Sequence, residues 1–177
     1  MAGAILGRME HSQAFAMPAV SPNHHPSTAS VGTSAGRPAD PSNETAPLGY
    51  AGDVAPGQAW QLVQSGQAAL VDVRTAEELH WVGRVPGALH IEWVVGRKLV
   101  PNERFLEQLA AQVPPDRQVL FLCRSGVRSV AAARAAALAG YGSAWNILQG
   151  FEGPIDAQKQ RGRIGGWRAA GLPWQQS

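Results

Sequence analysis

The residues of this chain best suited to chemistry are the CRSGVRS segment at residues 123–129, which contains the only cysteine among 177 residues. An apolar run, QVLFL at 118–122, leads directly into it, and an Ala-rich stretch at 130–139 follows. A strand, a tight loop and a helix N-terminus, with the helix starting at Arg128 or Ser129, therefore meet at Cys123. Such a junction turns successive backbone N–H groups inward and adds the positive end of the helix dipole, making a concave anion site. Gly126 lets the backbone bend sharply, while Arg124 and Arg128 add fixed positive charge. Both influences favour thiolate over thiol, so Cys123 is a candidate nucleophile. The same field would hold an anionic persulfide.

A strand-end cysteine taken alone is a small core hydrophobe, and an isolated arginine is a surface charge. Two arginines within six positions of a lone cysteine, all after a buried strand, favour a reactive site. With one cysteine there is no internal disulfide, so the fold must be held by its core, as expected in a reducing cytosol.

The surrounding elements read as α/β. Pro56 is placed to start a helix carrying Trp60, Leu62 and Val63, and Gly66 to end it. The run AALVDV at 68–73 reads as a buried strand. Thr75 and Glu78 fit a capping box ahead of a short helix, so Glu77 and Glu78 are read as first-turn stabilisers rather than a general acid and base. GRVPGA at 83–88 reads as a turn leading to a short strand at 89–91. Asn102 is placed to cap a helix through Gln112, with Phe105, Leu106, Leu109 and Val113 at helical spacing. Residues 118–122 form the next strand, 130–139 a helix closed by Gly140, and 144–148 the last core strand. From Gly150 onward the sequence is Gly-rich, with aromatic anchors at Phe151, Trp167 and Trp174.

Composition bounds the rest. Hydrophobic residues make up 45% and charged residues 16%, which suits one compact domain. Fifteen basic against 13 acidic residues give a formal charge of +2, too even to mark a nucleic-acid or membrane footprint. The N-terminus has no continuous apolar core of the secretory kind, so a cytoplasmic protein is expected. Residues 1–47 are expected to be a disordered extension, because the tract at 21–47 is rich in Pro, Ser, Thr, Ala and Gly and nearly free of large apolar side chains. His24 and His25 in that tract are read as solvated bystanders rather than metal ligands. His80 and His90 have no sequence-local partner that would fix a catalytic role. The tryptophans are read as packing, with Trp81 or Trp93 as candidates for the site mouth.

In this setting CRSGVR at 123–128 resembles the active-site loop of the rhodanese family. LVDVR at 70–74 with Glu77 and Glu78 resembles the strand and helix start ahead of that family's cysteine. GRVPGA at 83–88 with His90 and Ile91, and NILQG at 146–150, resemble its next turn and its element after the catalytic helix. The resemblance covers residues 49 to 174, and the domain is placed at 49–177. It implies a central, mainly parallel five-stranded sheet flanked by helices, and transfer of a sulfane sulfur from a donor such as thiosulfate to cyanide or a thiol through a persulfide on Cys123. The loop residues Arg124, Ser125, Gly126, Val127, Arg128 and Ser129 would cradle the persulfide with their amides. Arg124 would face the mouth and attract anionic donors, Arg128 would tie the loop together or, as a basic residue at that position can in this family, face the substrate, and Asp72 and Arg74 would be supporting residues. No metal or organic cofactor is needed, because the protein carries the intermediate. Expected partners are small sulfur-containing anions, thiol acceptors and a protein sulfur acceptor, with no nucleic acid or membrane. One alternative is a catalytically silent rhodanese-like binding module. A further one is a cysteine-dependent phosphatase or arsenate reductase, whose loops need one more residue between cysteine and arginine than the four found here.

Overall fold

The computed structural model of the chain describes residues 48–176. The expected disordered extension at 1–47, with His24 and His25, lies outside the described residues. Within them the order is β1 (Gly52–Val54), α1 (Pro56–Gln64), β2 (Ala68–Asp72), α2 (Ala76–Val82), β3 (Leu89–His90), β4 (Val94–Val95), β5 (Val100–Pro101), α3 (Phe105–Ala110), β6 (Gln118–Leu122), α4 (Val127–Leu138), β7 (Ala144–Ile147) and α5 (Gly166–Ala169). Five strands pair in parallel in the order β1-β7-β6-β2-β3, and β4 with β5 forms a separate antiparallel hairpin. No helix among the described residues is long and apolar enough to cross a membrane.

The two-residue period of a strand determines which side chains reach which face of the sheet. In β6, Val119 and Phe121 point to the same core as Cys123, with Phe105, Leu109, Ala132, Ala133 and Ala136 of α3 and α4. Leu120 and Leu122 point the other way, to Ala59 of α1, Ile147, Phe151 and Trp167 of α5. Both faces are therefore apolar, which explains the nearly continuous hydrophobic runs of β2 and β6. The small alanines of α4 let that helix lie close against β6 and β7. Trp60 and Trp167 meet edge to face, with centroids 5.8 Å apart, to close the opposite layer.

Helix boundaries follow local chemistry. Pro56 opens α1, and after Ser65 the Gln67 N–H bonds the Leu62 carbonyl, closing the helix end over Gly66. The Thr75–Glu78 capping box forms in both directions.

Three expectations need correction. Helix α3 is shorter than 102–112 and is capped at Arg104, not Asn102. Asn102 still caps the turn that leads into α3, its Oδ1 accepting from Arg104 N–H and its carbonyl from Phe105 N–H, while Nδ2 donates to the Glu92 carbonyl and to Gln108. Pro114 disfavours a helical Val113, so the chain leaves the helix early and buries Val113. Leu106, expected on the core face, is 39% exposed. Finally, α4 begins at Val127, one residue earlier than expected, because Gly126 takes the cap position at φ +99°. Neither the edge strand β1 nor the β4–β5 hairpin was anticipated. Each is two or three residues long, too short for a periodic signal.

Candidate functional site

The alternation along β6 carries Cys123 onto the α4 side of the sheet, at the point where the strand ends and the helix begins. The residue is buried, 1% exposed. The Gly126 N–H donates to Sγ at 3.1 Å, and Ser129 Oγ lies 3.2 Å from Sγ. The left-handed conformation of Gly126, the residue just ahead of α4, aims its amide at the sulfur, and Ser129, in the first turn of the helix, puts its hydroxyl beside it. Ser129 is itself fully buried and also reaches Asn146 Oδ1 at 2.6 Å.

The outer side of the loop is strapped by the segment following β7. Phe151 N–H donates to the Cys123 carbonyl at 2.7 Å, and Glu152 N–H to the Arg124 carbonyl at 2.9 Å. This close approach requires glycine at 150. Its φ is +62°, and a Cβ there would meet the Cys123 carbonyl oxygen and would lie 2.7 Å from Arg124 C and Ser125 N.

Beside the loop lies a cavity of about 300 Å³ lined by Thr75, Glu78, Leu99, Arg124 and Arg128. Arg124 is exposed and forms no ion pair among the described residues. Arg128 differs: its two terminal nitrogens donate to the two Glu78 carboxylate oxygens, both at 2.7 Å, and both side chains are about one-fifth exposed. Burial alone would raise the Glu78 carboxyl. The Arg128 hydrogen bonds, the Thr75 N–H and the nearby arginine charges outweigh it and hold the group below the ordinary carboxylate range. The Glu78 hydrogen bonds in turn raise Arg128.

Asp72 and Arg74 form a second pair at the end of β2, wholly buried. Arg74 Nε and Nη2 bind the Asp72 carboxylate, with Nη2–Oδ2 at 2.6 Å, and Nη2 also donates to the Gly83 carbonyl. The guanidinium stacks 4.0 Å above the Phe151 ring, next to the strap residue that holds the Cys123 carbonyl. The pair thus braces the scaffold around the cysteine loop and lines none of the cavity.

The structure brings Cys123, Gly126 and Ser129 together around the sulfur and places Arg124 and Arg128 at the rim. Ser125 is half-buried within the loop, while Val127 points outward, 77% exposed. Neither tryptophan proposed for the mouth is there: Trp81 is 71% exposed beside His80, and Trp93 packs edge to face on Phe105. His90 Nε2 meets the Arg74 carbonyl at 2.8 Å. Leu99, from the hairpin tip, and the Glu78 carboxylate are rim residues that sequence reasoning missed. The capping box was the only signal touching Glu78, and it gave no hint of a second partner fifty residues away. Among the described residues no group of three or more His, Cys, Asp or Glu could hold a metal ion.

A parallel α/β domain with a cysteine at the strand end, its sulfur facing a helix N-terminus through a short arginine-bearing loop, defines the class. The chain belongs to the rhodanese-like domain family, whose family model matches residues 55–155. A thiosulfate sulfurtransferase, GlpE, of Actinobacillus succinogenes is 29% identical over 121 residues, covering 68% of this chain and 87% of that protein. A Rickettsia prowazekii protein described as uncharacterized is 37% identical over 116 residues, covering 64% and 88%. Among solved structures, Rv0390 from M. tuberculosis superposes with a TM-score of 0.66 at 44% identity, covering 72% of this chain and 99% of that one.

Proposed function

We propose that this chain is a sulfurtransferase that carries a sulfane sulfur as a persulfide on Cys123. The observation that supports it is the position of Sγ, at the buried base of a cradle that offers the Gly126 N–H and the Ser129 hydroxyl, in a loop whose Arg124 and Arg128 line a neighbouring cavity. The Cys123 thiolate attacks the outer sulfur of an anionic donor such as thiosulfate. The donor S–S bond breaks, sulfite leaves with the electron pair, and a Cys–S–S⁻ group remains. A thiolate or cyanide then takes the outer sulfur and restores the Cys123 thiolate. The donor carried over from the Actinobacillus relative's name is thiosulfate. Arg124 draws the anion in, and the cradle stabilises the terminal negative sulfur by hydrogen bonds and the helix dipole. Arg128 is engaged by Glu78 and acts by holding the rim rather than by turning onto a bound oxyanion, which favours a single sulfur over a phosphate. Only Cys123 is available to store sulfur, and a reducing, cytoplasmic setting keeps it free.

The test is intact mass of the full chain after thiosulfate, then after cyanide, on wild type and Cys123→Ala. The expected result is a gain of one sulfur atom, removed by cyanide and absent in the variant. No gain with thiosulfate, glutathione persulfide or polysulfide would replace this reading with that of a binding module. Hydrolysis of an aryl phosphate would replace it with a phosphatase.

A further inference from the structure

Behind the Ser129 hydroxyl of the cradle runs a chain of side-chain contacts that sulfur transfer as described above does not use. Ser129 Oγ lies 3.2 Å from Cys123 Sγ and 2.6 Å from Asn146 Oδ1. Asn146 Nδ2 donates to Asp53 Oδ1 at 2.8 Å, and Tyr50 OH donates to the same oxygen at 2.9 Å. Parallel pairing of β1 with β7 puts Asp53 opposite Asn146, and the strand period puts Asn146 on the same face as Ala144, toward α4. The chain thus crosses from the buried nucleophile to the exposed edge of the sheet.

Its direction follows from donor and acceptor inventory. An ionised Asp53 only accepts, so Asn146 must present its NH₂ to it and its carbonyl to Ser129. Ser129 has one hydroxyl proton and two acceptors competing for it. While the proton lies on Asn146, Ser129 shows the sulfur a lone pair, which suits a thiol S–H donor. A thiolate or a persulfide only accepts, and satisfying it requires the hydroxyl to rotate its proton away from Asn146, leaving a buried carbonyl oxygen short of a partner.

We infer that Asn146, held in orientation by Asp53, is a positioning residue that competes with Cys123 for the Ser129 proton and so favours the protonated sulfur at rest. The inference rests on Cys123 being the reacting sulfur. The charged groups around that sulfur are Arg124 and Arg128 at the loop and α4, Glu78 of α2 bound to Arg128, Asp72 at the end of β2 with Arg74 just beyond it, and Asp53 behind Asn146. Only the last is linked to the sulfur through Ser129.

The experiment measures the alkylation rate of Cys123 by iodoacetamide against pH in the full chain, for wild type, Asn146→Leu, Ser129→Ala and the double variant. Hydrogen bonds to charged groups exceed neutral ones enough that Asn146→Leu should alkylate roughly fivefold faster where the thiol predominates. Its rate–pH curve should move to lower pH with an unchanged plateau. In the Ser129→Ala background the same substitution should have no effect. A slower or unchanged Asn146→Leu, or an equal effect in both backgrounds, overturns the inference. If Asn146→Leu does not fold, Asp53→Asn at its exposed position carries the test. It frees the Asn146 amide to turn over and should move the curve in the same direction, again only when Ser129 is present. No movement, or movement without Ser129, overturns it. Alkylation needs no sulfur donor, so these outcomes are read whether or not the chain transfers sulfur.

Discussion

Gly150→Ala is a probe of the strap that holds the cysteine loop. Two effects add. An L-residue at φ +62° is held in the left-handed region, which costs about 1–2 kcal/mol. The new methyl also meets backbone on three sides: the Cys123 carbonyl oxygen, Arg124 C and Ser125 N. Backbone cannot step aside there without lengthening the bonds from Phe151 and Glu152 N–H to the Cys123 and Arg124 carbonyls. Overpacking of this kind costs about 1–3 kcal/mol more. The sum, about 2–5 kcal/mol, corresponds to a fall in Tm of roughly 6–15 °C for a domain of this size. Because relief comes by displacing the loop, the rate of sulfur loading should fall by about tenfold or more. Gly66→Ala is the control, with a similar φ of +71° and nothing within 4 Å of its Cβ. It should lose only the first effect and load sulfur at the wild-type rate. Thermal melts and time-resolved intact mass on the three proteins read both quantities. If Gly150→Ala melts with Gly66→Ala and loads sulfur normally, the strap does not hold the loop.

Glu78→Gln should cost about 1 kcal/mol at pH 7, the range expected of a partly exposed but bidentate pair. The folded Glu78 carboxyl titrates below its ordinary value of 4.5, so its contribution is complete above that value and is lost as pH falls through the lower folded one. Urea titrations of wild type and variant should therefore differ by a constant amount from neutrality down to mild acid and converge below the ordinary carboxylate range. Asp72→Ala should be far more damaging, by about 3–5 kcal/mol in urea, since it leaves the buried Arg74 guanidinium without its counter-charge. Arg124→Ala should raise KM for thiosulfate by roughly tenfold while changing kcat by less than about twofold, and added salt should narrow the KM gap. An equal loss in kcat would give Arg124 a part in the chemical step instead.

Much of the domain was legible in the sequence because its signals are local. The apolar runs at β2 and β6 read as buried strands since both sheet faces are covered, and Pro56, Thr75, Glu78 and Gly140 mark helix ends by chemistry that needs no tertiary partner. The cysteine loop was legible for the same reason: strand, glycine, arginines and helix start lie within a dozen residues. What stayed hidden depends on distant partners. Arg128 meets Glu78, Ser129 meets Asn146, and the strap meets the Cys123 carbonyl only after the parallel sheet has assembled. Asn102 was legible as a cap and does accept the Arg104 N–H, but the start of α3 at Phe105 and the bonds of its Nδ2 to Glu92 and Gln108 were not.

The strap also has a consequence for the polarity of the loop. In a trans peptide the carbonyl and the N–H point in opposite directions, and among the described residues every peptide bond is trans. Fastening the Cys123 and Arg124 carbonyls to Phe151 and Glu152 therefore turns the N–H groups of Arg124 and Ser125 away from the strap. Two dipoles that could rotate freely in an isolated loop are fixed before any sulfur arrives. The same seven residues transplanted between another strand and helix would bring the cysteine and the arginines but not this orientation. Residues 149–152 should travel with them as part of the same functional unit, although they lie twenty or more positions away in the chain.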